Sequence, residues 1–239
     1  MIAVVNKNMD KVHGYAYQKN VFTKEECEKI INIAKNKSWS RGKIRSVKKS
    51  IDYELKDMRS SNICWINCDE ETDWIFSKII YSAFKLNADF FQFNISGMDE
   101  GLQFTNYKSP SDRYDKHIDR CYNAKVRKLS LSIQLTDPNN YEGGELVIET
   151  INTEEKFKLN VGEIILYPSS YLHAVNKVNN GERLVCVGWI ESYVKSTEKR
   201  EYLFDLDAGA RSLLAKHGRS DELDLIFKSY SNLLRVFGD

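Results

Sequence analysis

From Phe90 to Tyr193 the chain reads as a succession of short alternating runs: FFQFNI, LQFTNYK, KHIDR, KLSLSIQL, GELVIET, EKFKL, EIILYP and RLVCVGWI. Polar turns, NNYEGG and NNGE among them, separate these runs. A period of two is the mark of strands that bury one face. Strands this short, joined by short turns, predict a double-stranded β-helix, the jelly-roll barrel of the cupin kind. Elsewhere the period changes. Thr23 and Glu26 form a capping box ahead of Cys27, Ile30, Ile31 and Ala34, which predicts a helix from Thr23 to about Lys37. A second helix is expected over Glu71 to Leu86, burying Phe76, Ile79, Ile80 and Ala83. Beyond the strands, Gly218 can stop one helix and Ser220 cap the next, whose Leu223, Phe227, Tyr230, Leu234 and Phe237 share a face. The expected class is α+β in one domain over 1–239: N-terminal helical support (1–88), a barrel core (89–194) and a C-terminal helical tail (195–239).

Within the barrel, YDKHIDR sets His117 and Asp119 two residues apart, and His173 follows in YPSSYLHAV. On a strand, residues i and i+2 face the same way, so one short element offers two ligands to one ion while Ile118 turns away into packing. Two imidazoles and a carboxylate form the ligand set of a mononuclear non-haem iron(II) site, and three protein ligands leave positions open for chemistry. Arg183 lies ten residues beyond His173 in the alternating run GERLVCVGWIES. A guanidinium facing inward from such a strand needs an anion, and its planar fork suits a carboxylate. Tyr107 and Tyr114 precede His117 by ten and three residues, positions that serve equally for packing.

In this order and spacing, Tyr107, Tyr114, His117, Asp119, His173 and Arg183 resemble the Fe(II)/2-oxoglutarate-dependent oxygenases of the prolyl 4-hydroxylase type. LTDPNNYEGGELVIE, YPSSYLHAVNKVNNGERLVCVGWIES, REYLFDLDAGARSLL and YSNLLRVFG narrow the resemblance to bacterial PKHD-type hydroxylases, from about Val21 to Val236. The resemblance implies iron ligation by His117, Asp119 and His173, an ion pair from Arg183 to the distal carboxylate of 2-oxoglutarate, and Tyr107 beside that cosubstrate. It further implies O2 as co-reactant, L-ascorbate as reductant, and hydroxylation of a prolyl residue in a peptide or protein with release of succinate and CO2. Gly143 and Gly144 are expected to allow a tight hairpin near the barrel mouth.

Rival readings remain at this point. They are a small-molecule or free amino acid hydroxylase of the same superfamily, a zinc enzyme with Cys121 as a further ligand, and a non-catalytic barrel binding a metal or carboxylate. A nucleic-acid demethylase of the superfamily would carry a second arginine at position 189, where this chain has Trp189. With 35 basic and 34 acidic residues nothing global attracts nucleic acid or a membrane. The N-terminal stretch lacks the apolar core of a signal peptide, no run approaches the length of a membrane span, and the five cysteines form no C-x-x-C. A cytoplasmic protein with free thiols, monomeric or homodimeric, is expected. The basic run Arg41, Lys43, Arg45, Lys48 and Lys49 reads as a solvated loop or a substrate-contacting lid, and residues 41–60 and 109–116 are the candidate loops around the site. Arg120 and Tyr122, beside the proposed ligands, are either substrate-facing or surface residues.

Overall fold

The computed structural model describes residues 14–42, 58–119, 126–150 and 153–238. Two antiparallel sheets face one another, and every second residue of each strand points into the space between them.

The larger sheet is built on five long or central strands: β4 (Asn62–Ile66), β6 (Leu102–Lys108), β8 (Arg127–Gln134), β12 (Ile164–Pro168) and β14 (Val178–Ser192). With β1 (Ala16–Gln18) and β2 (Ser40–Arg41) at its edges the order is β1-β12-β8-β14-β6-β4-β2, and β5 (Ile95–Gly97) and β9 (Tyr141–Gly143) also pair with β14. The smaller sheet runs β11 (Glu154–Phe157), β10 (Leu146–Glu149), β13 (His173–Val175), β7 (Arg113–His117) and β3 (Arg59–Ser60).

Outside the larger sheet lie two helices. Helix α1 (Lys24–Lys35) begins with the expected capping box: the Thr23 amide donates to Glu26 Oε2 at 2.8 Å, and the Glu26 amide to Thr23 Oγ1 at 3.2 Å. It buries Cys27, Ile30 and Ala34. Helix α2 (Asp73–Leu86) buries Ile75, Phe76, Ile79 and Ala83. Both pack on the outward residues of the larger sheet, Cys64, Ile66, Leu102, Phe104, Leu129, Leu131, Ile133, Leu166, Cys186 and Ile190, in one apolar core. The tail forms α3 (Thr197–His217) and α4 (Asp221–Phe237), capped by Ser196 and Ser220, with Gly218 at φ 77° ending the first. Arg200 docks the tail on the barrel: its Nη2 donates to the Phe91 carbonyl at 2.8 Å and its guanidinium lies over Phe93. None of the described helices is long and apolar enough to cross a membrane.

The α+β jelly-roll class is borne out, and five local expectations need correction. FFQFNI is not one strand: Asn87–Phe91 is a π-helical turn, Gln92 adopts φ 52°, and β5 starts only at Ile95. An apolar run of that length fits a helix as well as a strand, and α2 carries on into it. NNGE is no hairpin turn but part of β14, where Gly181 at φ 76° lets the strand pair with β9. KHIDR is a strand only as far as His117. Ile118 does turn away, but into solvent, at 45% exposure. Gly143 and Gly144, at φ 72° and 66°, turn the chain between β9 and β10 but make no hairpin: β9 pairs with β14 in the larger sheet and β10 with β11 and β13 in the smaller, so the turn carries the chain from one sheet to the other.

Candidate active site

Histidines 56 positions apart meet because β13 pairs antiparallel with β7 and places His173 directly opposite His117. The register then slips: Val175 faces Tyr114, so β7 carries one extra residue, a β-bulge. Tyr114 and His117, three apart, would face opposite ways on a regular strand. The extra residue brings them to one face, with ring centroids 3.5 Å apart and planes within 14°. The same bulge turns the Asp115 carbonyl onto His117 Nδ1 at 2.8 Å, and the Tyr171 carbonyl meets His173 Nδ1 at 3.0 Å. Both contacts assign the ring proton to Nδ1 and leave each Nε2 lone pair facing inward.

Asp119 follows the strand and is held by the opposite sheet. Its amide donates to the Ser169 carbonyl at 3.1 Å, and its Oδ2 accepts from Ser130 Oγ at 2.6 Å. Ser130 Oγ is also 2.9 Å from Ser169 Oγ. The carboxylate comes within 3.5 Å of His173 Nε2 and 3.9 Å of His117 Nε2. One ligand atom from each of His117, Asp119 and His173 lies within 4.8 Å of the others, the spacing a single divalent ion can span. Burial, and His173 beside it, push the His117 imidazole down to about 4, so it is neutral and able to donate a lone pair at physiological pH. Burial works to raise Asp119, but the two imidazoles and the Ser130 hydroxyl outweigh it and hold the carboxyl below the ordinary range.

Further along the inner face of the larger sheet, Arg183 is 4% exposed and stands opposite Tyr107 in the β14–β6 pairing, its guanidinium 5.9 Å from that ring. Its Nε donates to Gln134 Oε1 at 3.3 Å, while Nη1 is buried with no partner and no carboxylate reaches it among the described residues. A guanidinium in that state is costly unless an anion arrives. Tyr107 is buried at the same end, and burial raises its hydroxyl, which stays protonated. Arg59 lies 4.6 Å over Tyr114 and donates to Gln103 Oε1 at 2.6 Å. At the opposite end of β14, Arg127 stacks on Trp189 at 3.5 Å, Trp65 leans on the same indole at 6.3 Å, and Glu100 pairs with Arg127. The Trp189 indole N–H is buried and interacts with the Asp119 carboxylate, which it helps to hold low, although at a geometry short of a full hydrogen bond.

All six residues singled out from the sequence therefore converge between the sheets. Ser130, Ser169, Gln134, Tyr141, Arg59 and Arg127 were not singled out. The one available signal was the alternation in KLSLSIQL, whose Ser130, Ser132 and Gln134 form a polar inward face. Arg120, Cys121 and Tyr122, and the basic residues from Lys43 to Lys49, lie outside the described residues. Arg41 is described and pairs with buried Asp112 at 3.1 Å.

Residues 102–191 match the 2OG-Fe(II) oxygenase superfamily, and 198–239 match the PKHD-type hydroxylase C-terminal domain. A PKHD-type hydroxylase of Prochlorococcus marinus strain MIT 9301 is 55% identical over 215 residues, 89% of this chain and 92% of its own. The chain belongs to the PKHD-type hydroxylases. Another member of this family, from Prochlorococcus marinus strain NATL2A, is 44% identical over 92% of this chain and 97% of its own. A solved prolyl-4-hydroxylase of Pseudomonas putida superposes with TM-score 0.56 at 19% identity, covering 75% of this chain and 93% of its own. A prolyl hydroxylase of Trichoplax adhaerens, solved with a peptide fragment of the hypoxia inducible factor oxygen degradation domain, gives 0.60 at 18% identity over 80% and 86%. At those identities the likeness is one of fold. PKHD-type hydroxylases are 2-oxoglutarate- and Fe(II)-dependent dioxygenases, and the residues present fit both groups: two imidazoles and a carboxylate for the ion, and Arg183, which has no carboxylate partner among the described residues, for a dicarboxylate.

Proposed function

We propose that this PKHD-type hydroxylase inserts oxygen into an unactivated C–H bond of a prolyl residue in a peptide or protein. His117, Asp119 and His173 would hold Fe(II), and Arg183 and Tyr107 would hold 2-oxoglutarate. The observation that carries this reading is the buried Arg183, whose Nη1 lacks a partner between the same two sheets that bring the three ligand residues together. The bound iron, with 2-oxoglutarate and O2, supplies the oxidising power, releasing succinate and CO2; L-ascorbate serves as reductant.

The chain's own part is positional. The Asp115 and Tyr171 carbonyls keep each imidazole in the tautomer that presents Nε2, and Ser130 fixes which carboxylate oxygen of Asp119 is already occupied. Arg183 anchors the diacid by one end, so the ketoacid end is presented in one orientation. For the substrate, the Trp65 and Trp189 faces offer an aromatic wall suited to a saturated ring. Arg59, Gln103 and Arg127 supply a polar rim of the kind an extended peptide needs. The 239 residues act in this reading as one catalytic unit.

The test is succinate formation from 2-oxoglutarate by anaerobically purified protein given Fe(II), ascorbate and then air, beside His173→Ala and beside zinc in place of iron. Iron-dependent succinate lost in the variant is expected, followed by a mass gain of one oxygen in a proline-containing peptide. Absence of both succinate formation and 2-oxoglutarate binding would overturn the reading.

A further inference from the structure

Around Arg183 the donors are unequally spent. Gln134 spends both of its amide protons: Oε1 accepts from Arg183 Nε, and Nε2 donates to the Thr136 carbonyl at 2.7 Å and to the Tyr141 hydroxyl at 3.3 Å. The carboxamide therefore orients its neighbours and has no donor left for an anionic ligand. The Tyr141 oxygen serves as acceptor in that contact, which leaves its own proton to give. Burial raises this hydroxyl, with Arg183 opposing, so the proton is present at neutral pH.

Two glycines make room for Tyr141. Gly181, in register with it across β9 and β14, has φ 76°, and a Cβ there would lie 2.3 Å from the Asn140 carbonyl and 3.0 Å from Tyr141 Cα. Gly144, at φ 66°, is the shared neighbour of the phenol and the guanidinium: a Cβ would lie 3.2 Å from Tyr141 Cε2 and 3.4 Å from Arg183 Cδ. On its other side the ring is covered by Lys158, whose ammonium is 4.3 Å from the centroid and donates to the Tyr141 carbonyl at 2.7 Å. The tyrosine is thus wedged, 2% exposed, between a surface cation and the stem of the buried one.

We infer that Tyr141 is the end wall of the cosubstrate pocket, donating a second hydrogen bond to the distal carboxylate beside Arg183 and setting the length of diacid the pocket takes. The inference rests on the 2-oxoglutarate reading of Arg183. It makes one functional unit of residues that the sequence scatters: Tyr141 and Gly144 in YEGG, Gly181 and Arg183 in NNGER, and Gln134 at the end of KLSLSIQ. A hydroxyl serving a carboxylate is a charge-assisted bond whose loss is felt in affinity, and a wall of fixed position discriminates by one methylene.

The experiment is calorimetric titration of 2-oxoglutarate, and of 2-oxoadipate, longer by one methylene, into the full-length protein loaded with Zn(II) so that no turnover intervenes. Wild type should prefer 2-oxoglutarate. Tyr141→Phe, which keeps the ring and its Lys158 contact, should bind 2-oxoglutarate about 10-fold more weakly. Tyr141→Ala, checked as folded by its thermal transition, should lose the preference for the shorter acid. Wild-type affinity in Tyr141→Phe, or wild-type preference in a folded Tyr141→Ala, would each overturn the assignment. Arg183→Ala distinguishes the two levels: if it too binds 2-oxoglutarate like wild type, the reading of the pocket has failed, not merely the part given to Tyr141.

Discussion

The two faces of the larger sheet are made by the same strands and obey different rules. On β8, Leu129, Leu131 and Ile133 point outward into the helix-covered core, while Ser130, Ser132 and Gln134 point inward; on β14, Cys186 and Ile190 oppose Arg183 and Trp189. The outward face is apolar and closed by α1 and α2. The inward face is just as buried, yet among the described residues it leaves Thr105 Oγ1 and Arg183 Nη1 without partners, against Asn106 Oδ1 at the end of the outward row of β6. Buried polar atoms are nearly always satisfied and buried cationic ones above all, so the orphaned guanidinium nitrogen marks where an anionic ligand belongs. Stability is concentrated on one side of a strand and chemistry on the other, one residue apart.

That contrast is best broken at the metal-binding end. His117→Ala or Asp119→Ala should abolish iron-dependent turnover while leaving the fold intact; turnover at the wild-type level in either variant would remove the ligand assignment. On the opposite face, Leu131→Ala should cost roughly 2–5 kcal/mol in denaturant unfolding. The surviving folded enzyme should keep its kcat, because only the outward face has changed.

Arg183→Ala sharpens the comparison further. Its affinity for 2-oxoglutarate should fall, with activity partly restored at saturating cosubstrate, yet the ligand-free protein should lose little stability because the removed charge has no carboxylate partner among the described residues. Thermal melts of the ligand-free variant test this directly.

Acid should act on the inward face too. The His117 imidazole, held at about 4 against an ordinary value of 6.5, binds fewer protons folded than unfolded between those values. Its contribution to stability is complete above about pH 6.5 and is lost as pH falls toward 4. Metal-free protein should therefore melt progressively lower through that window, and His117→Gln should flatten the dependence. The smallest effect belongs to a site remote from both faces: Thr23→Ala removes the α1 cap and should cost about 1 kcal/mol with kcat unchanged.

Sequence alone exposed those features that obey a short period or a local rule. The alternation of KLSLSIQL and EIILYP, the Thr23–Glu26 box and the Gly218–Ser220 junction were all legible, and the fold class followed from them. So did the positions of His117, Asp119, His173 and Arg183, through their spacing and the family resemblance. What stayed hidden depends on contacts distant in sequence. Ser130 is an ordinary strand serine until β8 is seen to pass under Asp119, and Gln134 and Tyr141 acquire meaning only once Arg183 lies between β6 and β8. The π-helical turn at Asn87–Phe91 and the strand through NNGE escaped because apolar runs and Asn-Gly pairs are each compatible with more than one backbone path.

The extra residue in β7 has a consequence for what variation this protein tolerates. Between Tyr114 and His117 the extra residue, more than its identity, is what turns the Asp115 carbonyl onto the imidazole. Lys116 in that interval meets Glu149 and Glu154 at the surface and is replaceable. Removing either intervening residue would leave Tyr114 and His117 two apart, on one face of a regular strand and still opposite Val175 and His173, so what a deletion takes away is the bulge and the carbonyl it aims at His117 Nδ1. The guarded property of this two-residue stretch is its irregular backbone path, which fixes the tautomer of a ligand from outside the site.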